Sequence, residues 1–426
     1  MLTQRTAIVF RRWGIEDCPF KELLCSLGHM PLTTKEYRFP WQLLPVILDG
    51  VSILDVPNLE VKTMESATSF IQAYGYNPSD PKDIELIWKY VEDAVQFIEK
   101  TLQDAEYPKV PEHLRTREAM KDVRRLLLLA SSKDNPDQLW ACAILRVAHV
   151  LIHLAHDPRL RYFAHAQNQI LGRLDDHLYV DSSTGSIYLG KKEEGGGIKL
   201  LFFKKKDRKD REREIIKMLH KAESTVEVIY DRIGFRLVTE TKFDAMRAVR
   251  LMINKNIIST PSVRPSRSRN WLIDVEKLKT ETERIIAVIK KGANKERFDI
   301  SKYVRRMERR IALKRKHGSL LNPQTSEHYR AIQFTCRELV KVPNALYQAY
   351  SLTKEQLEHV PGGSQIFSEI YPQPVPSHEY IFFPYEIQIM DVKSYADSIF
   401  GKSNHEEYRK KQLEVARNRV FGRGRL

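Results

Sequence analysis

The segment Glu386-Ile-Gln-Ile-Met-Asp391 has the alternating pattern of a β-strand. Successive side chains of a strand point to opposite faces of the sheet, so Glu386 and Gln388 share one face while Ile387 and Ile389 share the other. If the isoleucines pack on helices, the two polar side chains must face a cleft or water, because burial of an unpaired carboxylate is costly. The strand therefore presents a rigidly held carboxylate that can bind a metal ion or accept a proton.

A second strand-like run lies earlier in the chain and also carries a carboxylate. Residues 226–238 alternate, are rich in β-branched side chains, and include Asp231 and Gly234. Taken alone, Asp231 is more typical of a turn or capping residue than of a functional one. Together, Asp231 and Glu386 form a pair of carboxylates on two strands, which is what a divalent cation that bridges phosphate oxygens requires.

These residues and their spacing resemble the RelA/SpoT-type alarmone synthetases, whose signature is Glu-x-Gln-Ile-Arg-Thr followed by Gly and then His-x-x-Tyr-Lys. The residues that fall at this spacing are Glu386, Gln388, Ile389, Gly401, His405, Tyr408 and Arg409. The earlier run resembles the family's Tyr-Asp-x-x-Gly-x-Arg strand, with Tyr230, Asp231, Gly234 and Arg236 at the matching positions. The resemblance implies that Asp231 and Glu386 hold Mg²⁺ as cofactor and that Glu386 is the catalytic base.

Two further patches extend the resemblance. In the family, a basic helix that ends in Lys-Met supplies cations to the ATP phosphates; Lys217 matches that ending and Lys209 takes the place of the second lysine. Residues 326–337 resemble the family's Asn-Gly-Tyr-x-Ser-x-His strand and place Tyr329 on the tyrosine that stacks on the acceptor guanine. The nucleotide-binding residues that the resemblance implies are Lys209, Lys217, Arg236, Tyr329, Gln333, Gln388 and His405.

The implied activity is pyrophosphate transfer from ATP to the 3′-hydroxyl of a guanine nucleotide. The chain departs from the family pattern, because Gln333 stands where the family has histidine, Thr325 where it has lysine, and Met390-Asp391 where it has Arg-Thr. Developing phosphoryl charge needs fixed positive partners, and two of them are missing here. Two alternatives therefore stay open: the same chemistry with an RNA acceptor, and a nucleotide- or RNA-binding module without turnover.

The charge distribution also points to an anionic partner. The 426-residue chain carries a formal net charge of +15, yet residues 1–100 hold 10 Lys/Arg against 14 Asp/Glu. The positive excess is concentrated in the segments 199–221, 302–317 and 409–425. Such asymmetry predicts a nucleotide, RNA or another acidic partner, although each basic segment is also typical of a solvated helix face.

Periodicity and turn residues predict an α+β fold in two parts. Residues 1–175 form a mostly helical region, with helices predicted over 83–102, 120–131 and 139–156. Residues 176–426 form the domain that the resemblance describes as a nucleotidyltransferase-like mixed β-sheet flanked by helices. Two insertions relative to the family are predicted in it, a basic helical one near 275–322 and a second one near 341–380.

The predicted helix 139–156 carries His149, His153 and His156 near one face. A metal site is conceivable there, but histidines on a helix with a strongly apolar face are more often packed or surface residues. His156-Asp157 also invites comparison with the His-Asp hydrolase domain of bifunctional family members. The other ligands of that motif are not recognisable, so no hydrolase activity is predicted.

Cysteine usage and the absence of targeting patterns predict a cytoplasmic protein. Cys18, Cys25, Cys142 and Cys336 show no CxxC spacing, so neither a zinc knuckle nor a disulfide framework is expected. The N-terminus lacks the positive-then-apolar pattern of a signal peptide. No run of about 18 apolar residues is evident, so no membrane partner is predicted.

Overall fold

The computed structural model describes residues 39–104, 109–191, 197–206, 210–221, 229–292, 301–313, 329–400 and 405–422, without the side chains of residues 301 and 405–407. Within these residues a helix-rich N-terminal region precedes a seven-stranded mixed sheet. The predicted fold class, α+β with a mixed sheet and a helical N-terminal region, is confirmed. Kinship with nucleotidyltransferases stays a prediction.

The N-terminal helices are α1 (Leu44–Leu48), α2 (Met64–Ala73), α3 (Pro81–Phe97), α4 (Glu112–Arg115), α5 (Arg117–Met120), α6 (Arg124–Ala130), α7 (Gln138–Ala155) and α8 (Phe163–Asp175). α3 begins where the Asp80 side chain accepts the backbone N–H of Lys82, and a π-helical turn over Ile98–Leu102 follows it. The helix predicted over 120–131 is shorter than expected, because Lys121 adopts a φ of 67° and separates α5 from α6.

Helix α7 forms the centre of the N-terminal region and packs against α3 and α6. Its 18 residues have a mean hydropathy of 1.5, so by length and composition this helix could cross a membrane, contrary to the expectation that no such run exists. However, 61% of it is buried inside the protein. A buried core helix passes the same test of length and composition.

The strands are β1 (Leu178–Val180), β2 (Ile187–Leu189), β3 (Ile198–Lys205), β4 (Ile233–Thr239), β5 (Arg269–Asn270), β6 (Ile332–Pro343) and β7 (His378–Asp391). They lie in the order β1-β2-β3-β4-β7-β6-β5. β4 and β7 run parallel at the centre of the sheet, and the other neighbouring pairs are antiparallel. The two strands on which the sequence analysis placed its carboxylates are therefore neighbours.

The register of β4 and β7 explains the glycine between Asp231 and Arg236. Gly234 lies opposite Glu386, and Arg236 lies opposite Gln388. A Cβ atom at Gly234 would lie 2.5 Å from the carbonyl oxygen of Glu386, closer than any real Cβ contact. Glycine at this position therefore lets β4 approach β7 closely beside the predicted site.

The remaining helices are α9 (Arg211–His220), α10 (Lys242–Asn254), α11 (Val275–Gly292), α12 (Ser301–Arg310), α13 (Tyr347–Glu358), α14 (Gly363–Ile370), α15 (Val392–Phe400) and α16 (His405–Val420). α10 packs on β4 and β7. After β7 the structure describes two helices, α15 and α16, on either side of residues 401–404, which lie outside the described residues.

Two hydrophobic cores share the chain, and they interleave along it. The N-terminal core, built on α2, α3, α6 and α7, also contains Met218 and Leu219 of α9 and Val420 of α16. Conversely, the sheet core includes α8, which precedes the sheet in sequence, through Phe163 and Ile170. The limit between the cores therefore does not coincide with the predicted domain limit at residue 176.

The described part of the basic insertion near 275–322 is an integral element of the sheet core. Met307 and Ile311 are fully buried there. The Glu308 carboxylate accepts the backbone N–H groups of Lys242 and Phe243 and so caps the start of α10. By contrast, α13 and α14 in the second insertion, 341–380, pack mainly on each other beyond the ends of β6 and β7.

Candidate functional site

Glu386 lies at the centre of a network of polar side chains on one face of β7. Its Oε1 atom accepts hydrogen bonds from Lys206 and, at 2.9 Å, from Gln388. Its Oε2 atom accepts a hydrogen bond from the Gln333 amide. Glu386 is only 8% exposed, so the expectation that it faces a cleft or water is wrong. The partners on both oxygens offset the cost of burying this carboxylate.

Gln388 connects Glu386 to the next strand. Arg236, which lies opposite it on β4, donates from Nε and Nη2 to the Gln388 Oε1 atom at 3.0 and 2.9 Å. The Gln388 amide nitrogen in turn donates to Glu386. The Arg236 guanidinium carbon also lies 6.0 Å from the ring centre of Tyr395 on α15. Because its oxygen accepts from a cation and its nitrogen donates to an anion, the Gln388 amide is held in one orientation.

Asp231 lies just before β4 and forms an ion pair with Lys217 of α9. Burial raises the pKa of Glu386, and the nearby Asp231 carboxylate raises it too, but Lys206 and Lys217 lower it more. The net pKa of Glu386 is below its ordinary value, so this residue is ionised at neutral pH. Asp231, Lys217 and Glu386 therefore influence one another electrostatically, and the shared metal ion stays a prediction.

Tyr329 closes the cluster on the side of β6. Its ring meets Trp271 edge to face, with the ring centres 5.9 Å apart. Burial raises the pKa of the Tyr329 hydroxyl, and the charges of Arg236 and Glu386 also act on it, in opposite directions. Tyr329 is thus a neutral aromatic side chain within electrostatic reach of the network. Its ring is partly buried, so the predicted base stacking stays a prediction.

The fold brings to this region three cations that the motif resemblance does not include. Lys206 follows β3, and its backbone N–H donates to the Gly234 carbonyl. This backbone contact places the Lys206 ammonium group beside Glu386. Arg264 and Arg267 lie 4.5 and 4.7 Å from the ring centre of Tyr230, the neighbour of Asp231. The sequence offered one signal for Lys206, its place in a basic run, but not which lysine of that run points to the site.

Several predicted residues lie outside the described part of the chain. Lys209, Thr325 and Gly401 belong to this group, and so does the side chain of His405, whose backbone begins α16. Among the described candidates, Lys217, Asp231, Arg236, Tyr329, Gln333, Glu386 and Gln388 come together. Met390, two residues after Gln388 on the same strand, is fully buried.

The two carboxylates fit a magnesium ion in number and type. Within the described residues, His, Cys, Asp and Glu side chains form no group of three or more that could hold a metal. Magnesium is commonly bound by one or two carboxylates, with substrate phosphates and water as the other ligands. Asp231 and Glu386 could supply that pair, provided that Lys206 and Lys217 release the oxygens they now contact.

Arg232 anchors the segment that carries Asp231. This arginine is 2% exposed, donates from Nε to Glu214 of α9 at 2.8 Å, and forms a second ion pair with Asp157, which follows α7. Glu214 lies one helical turn before Lys217, the partner of Asp231. The buried triad therefore ties Asp231, α9 and the end of α7 to one another.

Two of the three histidines predicted near one face lie beside tyrosines: His149 in α7 and His156 directly after it. His149 Nδ1 lies 2.5 Å from the Tyr74 hydroxyl, and His156 Nε2 lies 3.0 Å from the Tyr76 hydroxyl. Asp157, next to His156, is occupied by Arg159 and Arg232. These contacts favour the interpretation of packed histidines.

Many cations of the basic segments form ion pairs within the fold. Examples are Lys205 with Asp175, Arg211 with Asp93, Arg310 with Glu281, Arg417 with Asp104 and Arg419 with Asp55. Exposed cations remain in each segment, so RNA binding through them stays a prediction.

His220 of α9 predicts a loss of stability in acid. Burial is the main cause that lowers its pKa from 6.5 to about 4, and nearby lysine and arginine charges lower it too, whereas the hydrogen bond from Nδ1 to the Ile216 carbonyl acts in the opposite direction. The unfolded chain therefore takes up the proton first as the pH falls. The stabilisation is complete above pH 6.5 and is lost as the pH falls towards 4, by about 3 kcal/mol in total. For His220→Gln, the free energy of unfolding measured with urea should depend less on pH in this range than it does for the wild-type protein. The same pH dependence in both proteins would contradict the assignment to His220.

No protein-family model and no curated protein sequence matches this chain. The functional proposal therefore depends on the geometry of the network and on the motif resemblance.

Proposed function

We propose that this protein is a magnesium-dependent transferase that moves pyrophosphate from ATP to the 3′-hydroxyl of a guanine nucleotide. The observation that supports this most strongly is the convergence of residues from four separate motif patches. Lys217, Asp231, Gln333 and Glu386 come from distant parts of the chain, yet contact or electrostatically influence one another. A set of carboxylates and cations held this way suits binding and polarisation of a triphosphate.

In the proposed reaction the ribose 3′-oxygen attacks the β-phosphorus of ATP. The bond between that phosphorus and the oxygen bridging to the α-phosphate breaks, AMP leaves, and the hydroxyl proton passes to Glu386. Magnesium, when bound by Asp231 and Glu386, would neutralise charge on the phosphate oxygens. Tyr329 offers a flat apolar face to the acceptor base.

The lysine pairs give the site a way to respond to substrate. A bound triphosphate competes for Lys206 and Lys217 because phosphate oxygens are strong acceptors for ammonium groups. When Lys206 turns to phosphate, Glu386 loses the partner that lowers its pKa, while burial and Asp231 still raise it. Substrate binding would therefore make Glu386 a stronger base at the moment when a proton must be removed.

Arg264 and Arg267 are the proposed replacements for the cations missing from the motifs. Within the described residues neither guanidinium has a carboxylate partner, and both lie against Tyr230 beside Asp231. Cations that are already close together but lack a counter-ion favour a bound anion. We assign them to the phosphates of the substrates.

The proposal is tested with purified full-length protein, Mg²⁺ and ATP labelled at the β- and γ-phosphates. We expect label to move to GDP or GTP, and the Asp231→Asn, Glu386→Gln double variant to lose that transfer. Transfer that persists undiminished in the double variant would overturn the assignment of the site. Label that moves to tRNA and not to free nucleotide would establish the alternative acceptor.

A binding module without turnover is the second candidate. It is favoured by one observation: both oxygens of Glu386 already have partners on the protein. In that case ATP binds, labelled product does not form, and affinity for RNA falls steeply with added salt. For either function we propose a cytoplasmic location, which is supported by free thiols at Cys142 and Cys336.

Lys206→Gln should weaken ATP binding and reduce transfer by about 10-fold or more, because the site loses a cation that contacts phosphate in the bound state. Lys205→Gln is the matched control, since Lys205 is the preceding residue but forms an exposed pair with Asp175. We expect the control to change the ATP Kd, measured by calorimetry, by less than about 2-fold. Equal losses of ATP affinity in both variants would mean that binding depends on the overall positive charge of this segment and not on Lys206 in particular.

A further inference from the structure

The N-terminal helical region contains a cavity of about 150 Å³ that is separate from the polar network. It lies between α2, α3, α6 and α7. Most of its wall is apolar, with side chains such as Leu54, Ile71, Val91, Leu127 and Ile152. The cavity thus lies inside the part of the protein to which the sequence assigns no function.

The polar groups in the cavity wall already have partners. Arg146 donates to the carbonyl oxygens of Val420 and Val56, at 2.6 and 2.7 Å. The Cys142 sulfur lies 3.6 Å from two carbonyl oxygens, and the Tyr74 hydroxyl meets His149. An anion entering the cavity would therefore find its one guanidinium already satisfied and would lose its hydration without compensation.

The histidine in the wall does not supply a charge at neutral pH either. Burial, with a smaller contribution from the neighbouring His153, lowers the pKa of His149 from 6.5 to about 4. Its neutral ring and the Tyr74 hydroxyl form one hydrogen-bonded pair, which can exchange a partner with a ligand hydroxyl or ring N–H. The wall therefore suits a ligand that is uncharged and has at most a small polar group.

The size of the cavity limits the ligand further. A cavity of about 150 Å³ lined by aliphatic side chains stays dry and accommodates one benzene ring. Phe70 and Tyr74 line the same cavity, are each 38% exposed, and stack with their ring centres 6.4 Å apart. These two rings reach from the cavity to solvent and form its aromatic mouth.

We propose that this cavity is a binding site for a small uncharged molecule of the size of one or two fused aromatic rings, whose single polar group faces the Tyr74–His149 pair. Complementary apolar contact supplies the affinity, and the paired hydroxyl and imidazole set the orientation. The site is independent of the proposed transfer reaction.

The test uses full-length protein and four probes of similar size: indole and phenol, which are neutral, and benzoate and benzylamine, which are charged. Indole and phenol should raise the Tm in a concentration-dependent manner and should bind in calorimetry, whereas the charged probes should do neither. The proposal is overturned if the neutral probes leave the Tm unchanged or if benzoate acts as strongly as phenol.

Two variants of α7 locate the binding. Ile152→Phe places a ring in the cavity and should abolish the Tm shift caused by indole, whereas Leu139→Phe adds the same ring on the exposed first turn of the helix and should retain it.

If Ile152→Phe does not fold, the rate of alkylation of Cys142 in the wild-type protein tests the same point. Indole should slow it several-fold relative to Cys336, which is buried in the other core. Equal slowing at both cysteines would contradict binding in this cavity.

Discussion

Glu386→Gln is expected to reduce pyrophosphate transfer by about 10²- to 10⁴-fold. The amide has nearly the same shape, but its NH₂ group cannot accept the hydrogen bond that the replaced oxygen accepts. It also cannot take the ribose proton and no longer offers a charged oxygen to magnesium. The measurement is the single-turnover rate of label transfer at saturating ATP and guanine nucleotide. Binding of ATP should change much less than the rate, because the lysines and arginines remain.

Asp391→Asn provides the matched control for that experiment. Asp391 lies on the same strand as Glu386, is equally buried, and also pairs with a lysine, Lys242 at 2.8 Å, but it is outside the network. Its rate should stay within about 3-fold of the wild-type rate, since it has no part in the proposed proton transfer. A similar loss in both variants would mean that the Glu386 effect is structural and that another base operates.

Arg232→Ala is expected to destabilise the protein by about 3–5 kcal/mol, the largest effect on stability that the structure predicts. The substitution leaves the carboxylates of Asp157 and Glu214 buried without the guanidinium that they share. Urea unfolding followed by circular dichroism measures the change in the free energy of unfolding. Arg159→Ala is the control, because Arg159 pairs with the same Asp157 but is more exposed, and it should cost about 1 kcal/mol.

A triple variant tests whether the two unpaired carboxylates cause the loss of stability. A triple variant in which Arg232, Asp157 and Glu214 are replaced by Met, Asn and Gln removes all three buried charges and should recover part of the lost stability. If Arg232→Ala unfolds at the wild-type urea concentration, the triad does not anchor the Asp231 segment.

The strands that carry the site could be predicted from the sequence because their pattern is local. Gly234 lies at the start of β4, and the alternation from Glu386 marks the end of β7. Asp231, predicted within the first strand, lies two residues before β4 begins at Ile233. Sequence reasoning was wrong about the exposure of Glu386. Burial depends on Lys206 and Gln333, which reach this carboxylate from other strands, and the sequence of β7 does not contain that information.

Other features depend on contacts that are distant along the chain. In the sequence, the segment 302–317 is dominated by charged residues. In the structure, its position is set by Met307 and Ile311, which pack in the sheet core. The same holds for α9 and α16, whose apolar residues join the N-terminal core from far along the chain. The hydrogen bond from Arg419 to the Leu219 carbonyl spans 200 residues of sequence. Local periodicity predicts such helices but not the core in which they pack.

The central claim is that Asp231 and Glu386 form one cation site for a nucleotide. Its most direct test is titration of the full-length protein with Mn²⁺ in the presence of a non-hydrolysable ATP analogue, followed by electron paramagnetic resonance. The account predicts saturable binding that both Asp231→Asn and Glu386→Gln weaken by at least about 10-fold, while Asp391→Asn leaves it unchanged. Undiminished Mn²⁺ binding in the first two variants, or loss in only one of them, would contradict a shared site.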